Sequence, residues 1–133
     1  MKISRDQTNQ KPLADFGAEL VQMIKDRSCD LIADRFGYAM AYERPLADAI
    51  ATDIDRCLTD EGRSAIIDLT GEARIIIKHF EPNTANLSRL VECFLPLTND
   101  DGELLAEIIV TAKNNEYWLT LEDVSYRSSN SGM

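Results

Sequence analysis

Residues 87–124, LSRLVECFLPLTNDDGELLAEIIVTAKNNEYWLTLEDV, decide the fold of this chain. They contain three stretches rich in aliphatic residues, separated by turn sequences. In the middle stretch, alternate positions from Leu104 to Val110 are apolar, which is the period of a half-buried strand. Asn114 and Asn115 suit a two-residue hairpin turn, because Asn tolerates a positive φ. The pattern predicts antiparallel strands at 87–97, 104–113 and 116–124, with turns at Asn99–Gly102 and Asn114–Asn115.

A further strand precedes these hairpins. Residues 74–80 include three consecutive Ile, and β-branched residues favour strands. Pro82 and Asn83 end this strand, since Pro has no N–H to donate to a sheet. The short apolar run 65–69 is compatible with either a helical turn or a strand. The second half of the chain therefore predicts a sheet of about four strands.

The first half of the chain has helical periodicity instead. Apolar residues recur every three or four positions in three segments, which predicts helices at 12–27, at 29–41 and from Pro45 to just before Gly62. Gly37 weakens the second helix or ends it. We predict an α+β fold, with the N-terminal helices packed on one face of a curved antiparallel sheet. The chain fits a single domain, 1–133, with flexible ends at 1–11 and 127–133.

The composition favours one class of partner and disfavours others. The chain has 23 Asp and Glu against 14 Lys and Arg, a formal net charge of −9 over 133 residues. Such a surface repels nucleic acid and attracts basic proteins. No apolar run approaches the length of a membrane span. Cys29, Cys57 and Cys93 are widely spaced and form no CxxC pair, which predicts buried, reduced thiols and a cytoplasmic location.

Motifs that carry enzymatic chemistry are missing from the sequence. It contains no GxSxG elbow, no phosphate-binding glycine loop and no HExxH pair. The single His, His79, is a possible general base, but we favour a surface role near the end of its strand. The acidic turn at 99–103 lacks the register of a calcium-binding loop, so a hairpin explains it. We predict a protein that is not an enzyme and that uses no cofactor or metal.

Carboxylates and aromatic residues are the best candidates for a binding surface. Acidic residues cluster on the predicted second and third helices and at the Asp100–Asp101 turn, and such patches speed encounters with basic partners. Aromatic residues are common anchors in interfaces. The alternative is that these carboxylates only solvate the helix faces. The candidate partner-binding residues are Asp30, Asp34, Tyr38, Tyr42, Asp48, Asp53, Asp55, Asp60, Glu61, Asp100, Asp101 and Trp118.

The layout resembles that of a group of bacterial proteins. The segment Cys29–Leu58, with IADRFGYA at 32–39, and the later segment VECFLPL at 91–97 are similar to small immunity proteins encoded beside contact-dependent inhibition or polymorphic toxins. This resemblance covers the general layout of most of the chain. It implies a non-enzymatic inhibitor that binds a cognate toxin domain, often a basic nuclease, and blocks its active site.

Two alternatives remain open from the sequence. The order of helices and then strands also resembles the cystatin-like cone of ketosteroid isomerase and scytalone dehydratase. That resemblance implies a pocket between sheet and helices, in which His79 and buried carboxylates would carry isomerase-like or dehydratase-like chemistry. The other alternative is an adaptor subunit with a neutral protein partner. Fold analogy by itself assigns no reaction.

Overall fold

Three helices cover one face of a curled antiparallel sheet in the computed structural model, which describes residues 1–129. The sheet is a half-barrel in the order β1-β6-β5-β4, with β2 and β3 both paired to β4. This confirms the predicted α+β fold with a curved sheet, although two strands of two residues raise the strand count to six. The helices are α1 (Gln10–Lys25), α2 (Cys29–Phe36) and α3 (Leu46–Thr59), and the strands are β1 (Lys2–Ile3), β2 (Ile66–Ile67), β3 (Arg74–His79), β4 (Leu87–Thr98), β5 (Glu103–Lys113) and β6 (Glu116–Arg127).

The two long hairpins form where the sequence predicts them. Asn114 and Asn115 both have positive φ, at 54° and 63°, as a tight hairpin turn between right-twisted strands requires. Two irregularities interrupt the ladders. Ser88 has no opposite residue on β5, and neither has Glu122, so each forms a bulge in its strand.

One face of the sheet forms the core with the helices. Fully buried residues alternate along the long strands, and the apolar stripes of the three helices pack on them in a single cluster. Gly17 brings α1 close to the sheet. A Cβ atom at this position would lie 3.2 Å from Ile75 side-chain atoms and 3.3 Å from Cys93 Sγ.

The second helix is shorter than predicted. It ends at Phe36 and not at Ala41, because Gly37 adopts a φ of +71° and breaks the helix. The chain continues through a short 3-10 turn at Ala39–Ala41, and Tyr42 and Glu43 then take left-handed backbone conformations. Tyr38 and Tyr42 therefore belong to this connection and not to α2, and Tyr38 contacts Asp53 in the middle of α3.

The N-terminal segment has a place in the sheet. Residues 1–11, which are expected to be flexible from their polarity, contain a short strand and a 3-10 turn. Lys2 and Ile3 pair with Trp118 and Tyr117 on β6, Ile3 is buried in the core, and a 3-10 turn at Arg5–Thr8 leads into α1. At the other end, β6 extends to Arg127, and the part of the predicted flexible tail at 130–133 lies outside the described residues.

Among residues 1–129, no helix has both the length and the apolar character that crossing a membrane would require.

Candidate functional site

The predicted acidic residues of α2, of α3 and of the turn after α3 come together in the helical layer. The helices α2 and α3 pack against each other, and both carry carboxylates on their solvent side. A 3-10 turn at Asp60–Gly62 continues directly from α3. The predicted binding residues that are exposed carboxylates in this layer are Asp30, Asp34, Asp48, Asp55, Asp60 and Glu61.

Some of these carboxylates already have a cationic partner. Arg27 pairs with Asp55, and Arg63 Nη1 lies 3.6 Å from a Glu61 carboxylate oxygen. The other four make no ion pair with any residue in the range 1–129. Their negative charge is therefore available to a partner. These four are Asp30, Asp34, Asp48 and Asp60.

Asp53 and Tyr38 do not belong to this surface. Tyr38 is 5% exposed, and its Oη donates a hydrogen bond of 2.5 Å to Asp53 Oδ2. Arg44 clamps the same carboxylate with two donors, Nη1 at 2.9 Å and Nη2 at 3.0 Å. The guanidinium also donates to the carbonyl oxygens of Met40 and Ala41. Tyr38 and Asp53, with Arg44, therefore fasten the α2–α3 connection to α3.

The contacts in this cluster shift the pKa values of Asp53 and Tyr38 in opposite directions. Hydrogen bonding to the Arg44 guanidinium holds the pKa of Asp53 below its usual range, against the opposing effect of partial burial. Burial, reinforced by the neighbouring Asp53 carboxylate, raises the pKa of Tyr38 well above the usual value. The pair is thus a phenol donating to a fixed carboxylate, with the proton resident on the tyrosine.

Replacing Tyr38 with Phe is expected to lower the free energy of unfolding at neutral pH by about 1.5 kcal/mol, the usual contribution of a hydrogen bond to a charged acceptor. Because the folded-state pKa of Asp53 is depressed, its contribution is present above the unfolded pKa and is lost as pH falls through the folded one. Urea titrations from pH 7 downward should show the deficit shrinking in acid. The matched control is Tyr42→Phe, since Tyr42 is 72% exposed; an equal loss in both variants would contradict the prediction.

Asp100 is also engaged within the fold, whereas Asp101 is exposed. Tyr126 Oη donates to Asp100 Oδ1 at 2.6 Å, and the backbone N–H of Gly102 donates to the same oxygen at 2.7 Å. These bonds hold the pKa of Asp100 below its usual range, with the Tyr126 hydrogen bond contributing most. The Arg63 guanidinium stacks 3.7 Å from the centre of the Tyr126 ring. The turn at Asn99–Gly102 is therefore a structural hairpin, in which the Asp100 carboxylate is held by internal hydrogen bonds.

Exposed apolar side chains accompany the free carboxylates. Leu31 on α2 is 56% exposed, although it is one of the apolar residues whose spacing predicts this helix. Leu46, at the start of α3, is 40% exposed, although the helical spacing of the apolar residues in that segment predicts that it is buried. Tyr42 lies between the two helices along the chain, where a left-handed backbone turns it outward. The spacing of apolar residues in the sequence could not show that Leu31, which follows Asp30, is exposed to solvent.

Trp118 lies on the other side of the molecule. Its neighbour Leu119 is fully buried on the helix-covered face, so Trp118 points to the opposite face of the sheet. Lys2 Nζ lies 5.7 Å from the centre of its ring. Trp118 and the helical carboxylates therefore lie on different faces of the molecule and do not form one binding surface.

That opposite face carries a row of carboxylates which the sequence analysis missed. Glu92 on β4 stands directly opposite Glu107 on β5, and Glu107 stands opposite Asp123 on β6. Lys78 Nζ on β3 contacts a Glu92 carboxylate oxygen at 3.0 Å, and the Glu92 side chain is only 8% exposed. Burial and the nearby Glu92 charge raise the pKa of Glu107, and burial does the same for Asp123. One lysine thus compensates a crowded acidic row.

The three cysteines are unpaired thiols, as predicted. Cys57 and Cys93 are buried, which raises the thiol pKa to about 11 and about 12 respectively. Cys29 is half-buried, and burial also raises its thiol pKa. A thiol is an effective nucleophile only as its thiolate, so these environments are those of packing residues.

His79 lies exposed at the end of β3, opposite Arg89 on β4. No residue among 1–129 accepts or donates a hydrogen bond with its ring. An open cleft of about 390 Å³ lies at the hairpin end of the sheet, and another of about 300 Å³ lies between the α3 end and β2. His79 lines neither of these clefts. Within the described residues, no group of three or more His, Cys, Asp or Glu is placed to hold a metal ion.

The chain matches no protein-family model, and neither a curated protein nor a solved structure is significantly similar to it.

Proposed function

We propose that this protein is an immunity-type inhibitor, which binds a basic toxin domain through the helical layer. The observation that carries the proposal is the set of four exposed carboxylates without an internal ion pair, interspersed with exposed apolar residues. We call this the acidic helical surface, and it consists of Asp30, Asp34, Asp48, Asp60, Leu31, Tyr42 and Leu46.

The chemistry of this surface suits a basic protein partner. Unpaired carboxylates steer an oppositely charged domain during encounter, and they penalise acidic competitors by repulsion. Apolar and aromatic side chains among them provide the desolvated anchors in which interfaces concentrate their binding energy.

The described residues support the enzyme alternative less well than they support the inhibitor. Its best base, His79, is exposed and hydrogen-bonded to no carboxylate. Tyr38, Arg44 and Asp53 resemble an acid–base cluster in composition, but each is committed to the others. We therefore keep the inhibitor as the primary proposal.

The first step of the test is to sequence the reading frames beside the gene for this chain, where we expect a basic toxin domain, and that domain is then the probe. Co-expression should rescue growth from that domain. Its association rate constant with the purified protein should fall about tenfold or more as NaCl rises from low to above physiological strength. The double variant Asp30→Lys, Asp34→Lys should slow association strongly at low salt.

The matched control is Asp6→Lys, which changes an exposed carboxylate without an ion pair outside the helical layer. It should alter association much less. An association rate that ignores salt would overturn the electrostatic mechanism and favour an adaptor with a neutral partner. Equal slowing by Asp6→Lys and the double variant would place the interface elsewhere.

A further inference from the structure

The open cleft at the hairpin end of the sheet differs in character from the rest of the surface. Its volume is about 390 Å³, within the range of small-molecule sites. One wall is the connection between β3 and β4, with Phe80 and Ser88, and the other is the β5–β6 turn, with Lys113 and Tyr117. None of the residues lining it is Asp or Glu, although the chain as a whole carries a charge of −9.

Two cations of the cleft have no counter-charge. Most Lys and Arg side chains pair with a carboxylate, but Arg89 and Lys113 pair with none in the range 1–129. In a strongly acidic protein, two unneutralised cations in one concavity attract anions from solution.

Arg89 is held in an unusual position for a cation. It stands between His79 and Val110 in a cross-strand row, and Val110 and the next residue in the row, Leu119, are both fully buried. Directly opposed residues project from the same face, so Arg89 enters the helix-covered side of the sheet at its open end.

The hydrogen bonds of Arg89 are incomplete. Its Nη1 donates to the Ser88 carbonyl oxygen at 3.0 Å and to Ser88 Oγ at 2.7 Å. Its Nε is shielded from solvent and has no partner within residues 1–129. An unpaired buried donor of this kind carries a free-energy penalty. A bound anion that draws the guanidinium into the cleft would remove it.

The Nε and Nη2 side of the Arg89 guanidinium can be compared with the same side of Arg35, which binds a carboxylate. Arg35 binds both carboxylate oxygens of Glu19 through Nε at 2.7 Å and Nη2 at 3.2 Å. In Arg89 the same two nitrogens have no acceptor in the described chain. The fork formed by Nε and Nη2 matches carboxylate and phosphate oxygens in pairs.

The walls of the cleft are fixed by internal hydrogen bonds. The side-chain amide of Asn83 donates to the carbonyl oxygens of Glu81 and Leu87 at 2.9 and 2.7 Å, and its oxygen accepts two backbone N–H groups. The backbone N–H of Ala112 donates to the Asn86 carbonyl oxygen at 2.8 Å, which ties the connection to β5. A site held in this way costs little ordering when a ligand enters.

We propose that this cleft binds a small organic anion, a carboxylate or phosphate group attached to a flat apolar ring. Arg89 and Lys113 take the anionic group, and the rings of Phe80 and Tyr117 line the space for the apolar part. The cleft carries none of the acidic helical surface, so this inference is independent of the proposed inhibitor function.

The test is an amide-resolved NMR titration of the full chain with benzoate, phenyl phosphate and the neutral benzyl alcohol. At least one anion should bind with a dissociation constant on the order of 1 mM, as expected of a ligand of this size. Shifts should centre on residues 80–89 and 112–117. Benzyl alcohol should bind at least tenfold more weakly. The tighter of the two anions identifies the preferred head group.

Variants assign the binding to the two cations. Arg89→Gln should weaken anion binding at least tenfold, and Lys113→Gln about threefold, while Arg56→Gln, an exposed cation on α3 without an ion pair, should leave it unchanged. Lys113→Gln, being at an exposed position, keeps the test valid if Arg89→Gln fails to fold. The proposal is overturned if neither anion shifts the cleft at 10-fold the expected dissociation constant, if benzyl alcohol binds equally well, or if Lys113→Gln and Arg89→Gln both bind like the parent chain.

Discussion

Replacing Lys78 with Met is expected to lower the free energy of unfolding by about 3 kcal/mol, the lower end of the cost of breaking a buried ion pair from one side. Lys78 itself is about half exposed, but its partner Glu92 is almost completely buried. The substitution therefore strands a carboxylate in a place with little water. Glu107 stands directly opposite on the next strand, and its charge adds repulsion.

Chemical denaturation at pH 7 measures this effect, and second-site variants show its origin. Glu92→Gln added to Lys78→Met should restore most of the lost stability, because the stranded charge is gone. Glu107→Gln should restore part of it. The control is Lys113→Met, an exposed lysine without an ion pair, which should change stability by at most about 0.5 kcal/mol. A loss that neither second-site change relieves would show that Lys78 contributes through packing and not through charge.

Replacing Gly17 with Val is expected to lower the free energy of unfolding by about 2–3 kcal/mol. A Cβ atom at this position already lies 3.2 Å from Ile75 and 3.3 Å from Cys93 Sγ. The two further methyl groups of Val would enter space that these side chains fill, and overpacking of this kind forces rotamer or backbone shifts. The cost comes from the fit of α1 against the sheet and not from helix propensity.

Its matched control lies next in the chain. Ala18 is exposed on the same helix, so Ala18→Val should cost only about 0.5 kcal/mol of helix propensity. Gly17→Ala should be close to neutral, since a gain of about 1 kcal/mol in propensity offsets the tight contacts. Thermal unfolding monitored by circular dichroism compares the three variants. Equal midpoints for Gly17→Val and Ala18→Val would mean that α1 does not approach the sheet as closely as described.

Local sequence signals were sufficient for most of the architecture. Alternation along β5 and the Asn114–Asn115 pair identified a hairpin, because both depend only on neighbours in the chain. β1 was missed for the opposite reason. Two residues at the polar N-terminal end, Lys2 and Ile3, become a strand only because β6 offers them an edge. α2 was predicted too long, since periodicity outweighed the backbone preference of Gly37.

The candidate surface was harder to predict than the fold. The local sequence does not distinguish Asp53 from Asp48 on α3, or Asp100 from Asp101 in the turn. The members of each pair differ only in tertiary partners, because Arg44 and Tyr38 engage Asp53, and Tyr126, 26 residues away, engages Asp100. The carboxylate row through Glu92 depends on strand register, which the two bulges alter and which no local pattern encodes.

The bulge at Glu122 has a consequence for self-association. Beyond Trp118, no strand in the range 1–129 pairs with the outer edge of β6, which leaves a stretch of backbone able to template another chain. The extra residue distorts this edge, and the carboxylates of Glu122 and Asp123 charge it. Because burial raises the pKa of Asp123, acidification neutralises this carboxylate earlier than an ordinary aspartate. Acidification therefore removes this part of the charge on the edge at a higher pH than it removes the charge of an ordinary aspartate.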